Sequence, residues 1–249
     1  MPLPRRLPSP GQALTAIVLA LAAFGYPALS EWLLDRFGTR AVATAMLGVG
    51  AASFAARLAL ERRPLALAGQ FAGAFALLAL AAVSDDRAWL RLFPALVNAY
   101  LAVLFAATLA TESSMIERGA RAMQPYLPKF TRPYCRAVTA LWVGFFAASA
   151  VAIAFAAVRA PEHWRAVATT GYFAAVAALS AVEFAVRKAR FRNYAGGPLD
   201  RAFAALFPAE ATERGRRSLA YVRRMHELGY GPGGPREGEP PPDLGPLDP

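Results

Sequence analysis

The chain has 249 residues, of which 56% are hydrophobic, and it carries a formal net charge of +10 at pH 7. Soluble domains of this size are about 45–50% apolar, so the composition disfavours a soluble enzyme and favours a membrane protein. The single cysteine, Cys135, excludes an intrachain disulfide, and two histidines are too few for a histidine-rich metal centre. We therefore expect neither a bound metal nor another cofactor.

Six apolar stretches follow one another, and each approaches the length of about 20 residues that a helix needs to cross a bilayer. The second extends to Leu60 if the Arg57 side chain reaches the membrane surface, and the sixth extends to Val186 if Glu183 is tolerated inside the span. We predict an all-α, polytopic membrane protein with about six transmembrane helices over residues 11–188, after a cytoplasmic N-terminus at 1–10. The stretches are residues 7–30, 41–56, 64–84, 92–111, 137–158 and 166–182.

The first stretch has a second interpretation. Arg5 and Arg6, the long apolar run and the small residues near 28–30 also resemble a cleavable signal peptide. Cleavage there would leave the later topology unchanged.

Positive charge alternates between the connections of these stretches. With the N-terminus inside, the inner segments before the tail hold ten lysines and arginines and the outer segments hold six. The positive-inside rule therefore predicts that both termini are cytoplasmic. The same bias explains the pI of about 10.4 without a nucleic-acid partner. The outer arginines are Arg36, Arg40, Arg87, Arg91, Arg159 and Arg165.

A polar insert at 112–136 separates the fourth and fifth stretches. Its first charges, from Glu112 to Arg121, are predicted to lie on a continuation of the fourth helix, where Glu117 and Arg121 are four apart and share a face. Pro125 and Pro128 then prevent a continuous helix. Aromatic and basic residues alternate over 126–136, a pattern that suits the headgroup zone of a bilayer.

Two interpretations of this insert stay open. It is either a loop that lies on the membrane surface, or a site that holds the anionic headgroup of a lipid or carrier. The candidate site residues are Glu117, Arg118, Arg121, Tyr126, Lys129, Arg132, Tyr134 and Arg136.

Three polar side chains lie inside the predicted spans. Glu183 is four residues from Arg187, which favours an ion pair at the membrane interface over a proton or substrate site. Gln70 and Asn98 are expected to form hydrogen bonds between helices rather than to line a pore. Gly73 follows Gly69 by four residues, a spacing that allows two helices to approach closely.

The tail has two parts. Residues 189–230 can form short helices, and the apolar residues Leu219, Val222, Met225 and Leu228 alternate with arginines. This pattern predicts a basic amphipathic tail, which lies either on anionic lipid or against the inner loops. Residues 231–249 are rich in proline and glycine and are predicted to be disordered.

The residues around the insert resemble a known family. The insert motif is Glu117-Arg118, Ala120-Arg121, Pro125, Leu127-Pro128, Tyr134, Arg136, Val138-Thr139, Trp142 and Phe145-Phe146. The tail motif is Asn193-Tyr194, Gly197-Pro198-Leu199-Asp200-Arg201 and Leu206-Phe207-Pro208. Together they resemble predicted bacterial inner-membrane proteins whose genes accompany those for aryl polyene and xanthomonadin-type pigment lipids. The likeness covers about residues 10 to 208.

This resemblance implies a setting and no catalytic residue. The setting is assembly of a polyene or fatty-acyl lipid at the cytoplasmic face of a bacterial inner membrane. The expected partners are membrane lipids and either lipid-biosynthesis enzymes or an acyl carrier protein.

Three function classes follow. The first, which we favour, is an accessory protein that supports lipid assembly or handling. The second is an intramembrane acyl or lipid transferase, for which Glu112, Glu117, Arg121 and Arg136 could build an anion site; the sequence has no nucleophile elbow, zinc-protease motif or P-loop. The third is a small transporter, which is disfavoured because no internal repeat is found.

Overall fold

A computed structural model of the chain describes residues 29, 31–60, 64–123, 127–192, 194 and 197–227, with the backbone alone at 57, 59, 60, 64–71, 123, 129, 226 and 227. Within these residues the regular structure is helical and contains no strand. After a helical segment at 31–37 come α1 (Thr39–Leu60), α2 (Pro64–Ser84), α3 (Arg87–Arg91), α4 (Phe93–Leu109), α5 (Met115–Met123), α6 (Arg132–Arg159), α7 (Pro161–Ala166), α8 (Tyr172–Phe191), α9 (Pro198–Leu206) and α10 (Glu213–Glu227).

Four helical segments are long and apolar enough to cross a membrane: Thr39–Ala56, Arg87–Leu109, Arg132–Arg159 and Pro161–Phe191. In α2, Ala72–Ser84 is the apolar part whose side chains the structure describes. Large apolar side chains point outward, with Val83, Val151 and Phe155 exposed by 80%, 70% and 63%, as expected for surfaces that face lipid. The helical class is confirmed for the described residues. The first predicted stretch lies outside them, and six spans stay a prediction.

The described residues divide into two compact units. Unit 1 consists of Phe105–Trp142 and the described residues from Ala175 onward, and unit 2 consists of those up to Leu104 together with Val143–Ala174. The long helices α6 and α8 contribute residues to both units.

Unit 2 has two apolar cores. One gathers side chains from 34 to 90, where Leu34 and Ala43 are almost fully buried. The other surrounds Trp164, which is 1% exposed and whose indole Nε1 donates to the Arg91 carbonyl at 2.9 Å. Gly73 faces α4, where a Cβ would lie 3.2 Å from the Leu96 side chain. Only the backbone is described at Gly69, so the predicted packing role of the two glycines stays a prediction.

A polar network, which we call the Arg91 network, joins three segments of unit 2. Arg91 binds both carboxylate oxygens of Glu31, at 2.9 and 3.3 Å, and its guanidinium lies 5.9 Å from the centre of the Trp164 ring. Arg87 pairs with Asp35 at 2.6 Å. These bonds fix the 31–37 segment to α3.

The polar insert departs from the predicted continuous helix. The fourth span ends at Leu109, residues 110–114 turn, and α5 begins at Met115. The Thr108 hydroxyl donates to the Phe105 carbonyl, and the Thr111 hydroxyl donates to the Thr108 carbonyl. Such side-chain bonds to the backbone compete with the helical ladder, so Glu112 lies in the turn and not on the fourth helix.

The basic tail forms two helices, α9 and α10. On α10 the buried side chains are Ser218, Tyr221 and Met225, one helix face that includes only Met225 of the predicted apolar positions. Leu228 and residues 231–249, predicted to be disordered, lie outside the described residues.

Candidate functional site

The site forms where α4, α5 and α6 meet in unit 1. A helix leaves its first amides without partners inside the helix. In α5 these amides bond to neighbouring helices: the Met115 N–H donates to the Thr108 hydroxyl at 2.9 Å, and the Ile116 N–H donates to the Thr139 hydroxyl at 3.3 Å. The Thr139 hydroxyl in turn donates to the Cys135 carbonyl. The start of α5 is therefore fixed against α4 and α6.

Glu117 occupies the centre of this junction and is fully buried. Its Oε1 accepts from Arg121 Nε at 3.0 Å and from the same guanidinium's terminal nitrogen at 2.9 Å. Arg132, at the start of α6, approaches that oxygen with Nε at 3.5 Å and also reaches the exposed Glu112 at 3.3 Å. The predicted pairing of Glu117 with Arg121 is confirmed. A buried carboxylate requires such compensation, because removing a charge from water is costly.

The second carboxylate oxygen of Glu117 differs from the first. Neither this Oε2 nor the buried Ser114 hydroxyl finds a hydrogen-bond partner within the described residues. Ser114 precedes α5 and Glu117 is its third residue, the spacing of a capping box, in which the two side chains bond to each other's backbone amides. Here the carboxylate binds arginine instead. The buried junction thus holds an acceptor and a hydroxyl group with unused bonding capacity.

Two more arginines close the turn that follows α4. Arg136 donates to the carbonyls of Leu109 at 2.5 Å and Thr111 at 3.2 Å. Arg118 donates to the Ser113 carbonyl at 3.0 Å and to the Thr111 hydroxyl at 2.9 Å. Cations and donors near the last carbonyls of a helix are favourable. We call the whole set the arginine cluster: Glu112, Glu117, Arg118, Arg121, Arg132 and Arg136.

Tyr134 belongs to a different contact. Its hydroxyl donates to the Glu183 carboxylate at 3.0 Å, and its ring packs edge-on against Phe191. Glu183 also pairs with Arg187 at 3.1 Å, so the predicted ion pair is confirmed. The structure therefore separates Tyr134 from the arginine cluster and places it in a contact between α6 and α8.

A second contact fixes the tail to the end of α8. Lys188 pairs with the buried Asp200 of α9 at 2.5 Å, and the Lys188 ammonium lies 5.8 Å from the centre of the Tyr194 ring. The Tyr194 hydroxyl donates to the Phe207 carbonyl at 2.7 Å, and burial raises the pKa of this tyrosine. Arg192 donates to the Pro208 carbonyl at 2.5 Å. These bonds hold α9 and the following turn against α8.

The other predicted residues have varied outcomes. Tyr126 lies outside the described residues, and the side chains of Lys129 and Gln70 are not among those described. Asn98 is buried, and its amide donates to the Pro94 carbonyl of its own helix at 2.9 Å, so this bond lies within one helix and not between two as predicted. Among the described residues, no group of three or more histidine, cysteine and acidic side chains could hold a metal ion.

Several residues of the site went unrecognised in the sequence. The apolar pattern places Thr108 and Thr139 inside predicted spans, with no site role. Thr139 is part of the insert motif and Asp200 is part of the tail motif. Short polar side chains next to a predicted helix start are the signal that could have identified the threonines, because helix amides need acceptors.

No protein-family model, curated protein or solved structure matches the chain.

Proposed function

We propose that the chain is an integral membrane accessory protein whose arginine cluster holds the anionic headgroup of a lipid or the acidic surface of an acyl carrier protein. The six-span topology with both termini in the cytoplasm is part of this proposal. The cluster then faces the cytoplasm, at the ends of two spans, and serves the assembly of a polyene or fatty-acyl lipid at a bacterial inner membrane.

The observation that supports the proposal most is the unequal use of charge in the arginine cluster. Four guanidinium groups meet two carboxylates, and one of those carboxylates, Glu112, is 88% exposed. Each guanidinium has five N–H donors. The bonds of Arg121 to Glu117 use only two of these five N–H groups. Donors therefore remain on a set of arginines whose positions are already fixed.

Position is the second support. Arg132 begins a helix that is apolar enough to cross a membrane, and Leu109, whose carbonyl binds Arg136, ends another. Charges at such helix ends lie at the depth of lipid headgroups. Arginine suits phosphate there, because its planar fork makes two parallel bonds to one anion.

The test is lipid analysis of a strain that lacks the gene and carries plasmid-borne variants. We expect the deletion to lose its membrane-attached polyene or acyl lipid and to accumulate soluble precursors. Arg118→Gln should restore the protein but less of the lipid, because Arg118 is exposed and its loss leaves the buried Glu117 pairing in place.

The matched control is Arg159→Gln, which removes an exposed arginine of unit 2 and should restore the lipid fully. Normal lipid in the clean deletion would contradict the proposed setting. Equal restoration by both variants, at equal protein level, would contradict the role of the arginine cluster.

A further inference from the structure

A groove of about 440 Å³ lies beside the start of α10 in unit 1. Its lining includes Phe130, Glu213, Arg214 and Arg217. The volume is within the range of about 300–1,000 Å³ that is usual for small-molecule sites. The lining combines one aromatic ring with two guanidinium groups and one carboxylate.

The apolar part of the groove adjoins the ends of two candidate spans. Phe130 lies in the turn Lys129–Thr131, directly before α6, and its ring centre is 6.2 Å from that of Phe191, the last residue of α8. Both helices belong to segments that are apolar enough to cross a membrane. Phe130 therefore offers an apolar contact next to the ends of two candidate spans.

The charged part of the groove is only partly neutralised. Glu213 and Arg217 are four apart on α10 and pair at 2.5 Å, with side chains 69% and 48% exposed. Arg214 is exposed, and within the described residues it makes neither a hydrogen bond nor an ion pair. Among the described lining residues, two guanidinium groups meet one carboxylate, so positive charge is in excess there and Arg214 can bind an anion.

The start of α10 is held rigidly, which fixes where these arginines can reach. A Cβ at Gly215 would lie 2.1 Å from the Ala209 carbonyl oxygen, so the two backbones touch and only glycine fits. The Thr212 hydroxyl accepts from the Gly215 N–H, and Arg216 donates to the Glu210 carbonyl. The backbone that carries Arg214 and Arg217 is therefore already ordered, so a ligand has to immobilise only their side chains.

We propose that this groove binds a phosphate-bearing amphiphile, with the phosphate on Arg214 and Arg217 and the adjoining apolar chain on Phe130. Guanidinium and phosphate form paired, charge-assisted hydrogen bonds. Glu213 opposes this binding, because it occupies Arg217 and repels the anion. The proposal does not depend on the arginine cluster or on any role in lipid assembly.

The role of Glu213 allows a test in which the two key variants change affinity in opposite directions. The full chain is purified in a nonionic detergent and titrated calorimetrically with hexyl phosphate. Arg214→Gln should weaken binding about tenfold, the usual effect of one lost charge-assisted hydrogen bond. Glu213→Gln should strengthen binding severalfold, since it frees Arg217; damage to folding cannot produce such a gain.

Arg223→Gln is the matched control, because Arg223 is an exposed arginine of the same helix that does not line the groove. It should leave the affinity unchanged. Equal losses in Arg214→Gln and Arg223→Gln would overturn the proposal in favour of nonspecific charge attraction. Failure to detect binding of hexyl phosphate at millimolar concentration would also overturn it.

Further ligands define the chemical class. Hexanol should not bind, and inorganic phosphate should bind more weakly than hexyl phosphate; equal affinities for the two phosphates would overturn the role of Phe130. Phe130→Leu, which keeps an apolar contact with Phe191, should reduce only the preference for the alkyl chain. Competition by phosphatidylglycerol nanodiscs would support a lipid headgroup as the source of the phosphate, and its absence would support a soluble phosphate ester.

Discussion

The Arg91 network of unit 2 and the arginine cluster of unit 1 are both built from arginine and glutamate, yet they use their bonds differently. Two nitrogens of Arg91 each donate to a different carboxylate oxygen of Glu31, and the two side chains are 20% and 24% exposed. In the arginine cluster, Arg121 and Arg132 share one oxygen of a fully buried Glu117, while the other oxygen has no partner among the described residues.

The difference separates a structural ion pair from a candidate binding site. In the Arg91–Glu31 pair both carboxylate oxygens are bonded within the fold, so little hydrogen-bonding capacity remains for a ligand. The arginine cluster has hydrogen-bond donors and one acceptor without partners. Burying such groups lowers stability, and the surrounding structure must offset that cost. The arginine cluster is therefore the better candidate for a functional role, and the following changes test the contrast.

The largest expected effect is that of Glu117→Ala. This change removes the fully buried carboxylate that Arg121 and Arg132 share; because those two side chains are 35% and 38% exposed and can be hydrated, we expect a loss of about 2–3 kcal/mol, below the roughly 3–5 kcal/mol of a fully buried pair. Glu31→Ala should cost about 1–2 kcal/mol, because Glu31 is itself 24% exposed, unlike Glu117, and the ring of Trp164 remains beside Arg91. The measurement is thermal unfolding in detergent, followed by circular dichroism. Equal losses would remove the contrast between the two clusters.

An intermediate effect is expected for Thr139→Val. The Ile116 N–H would lose its acceptor at the start of α5, and loss of a helix cap costs about 1 kcal/mol. Thr44→Val is the control, since the Thr44 hydroxyl bonds only to the Arg40 carbonyl of its own helix. The same unfolding assay applies, and a Thr139→Val protein as stable as the control would show that α5 is not held by this hydroxyl.

The smallest effect is expected for exchange of arginine by lysine. Arg91→Lys loses the two-pronged bond to Glu31, a change of roughly 1 kcal/mol at a partly exposed site. Arg121→Lys should cost less, because a lysine ammonium can still reach the single Glu117 oxygen that Arg121 uses. Unfolding midpoints in the reverse order would contradict the bonding difference described here.

The sequence is sufficient for the parts of this fold that depend on composition and local spacing. Apolar length predicts the segments that could cross a membrane, because the bilayer sets a minimum helix length. Pairs four residues apart, Glu117 with Arg121 and Glu183 with Arg187, follow from helix geometry alone.

Contacts between distant segments could not be read in the same way. Arg132 reaches Glu117 over fifteen positions, and Tyr134 reaches Glu183 over forty-nine. Their partners depend on how helices pack, which leaves no periodic signal in one sequence. The end of α4 at Leu109 also depends on a distant residue. Apolar residues continue to Ala110, but threonine hydroxyls and Arg136 bond to the last carbonyls and terminate the helix.

The contact of Gly215 with Ala209 bears on how this protein could be engineered. Because backbone atoms set the direction of α10 at its start, exposed arginines that make no bond to the preceding turn, such as Arg214 and Arg223, do not determine where it lies. The number and sign of the charges at these positions can therefore be varied while the backbone of α10 stays in place. A graded series of such variants would report on electrostatics alone, without confounding changes in shape.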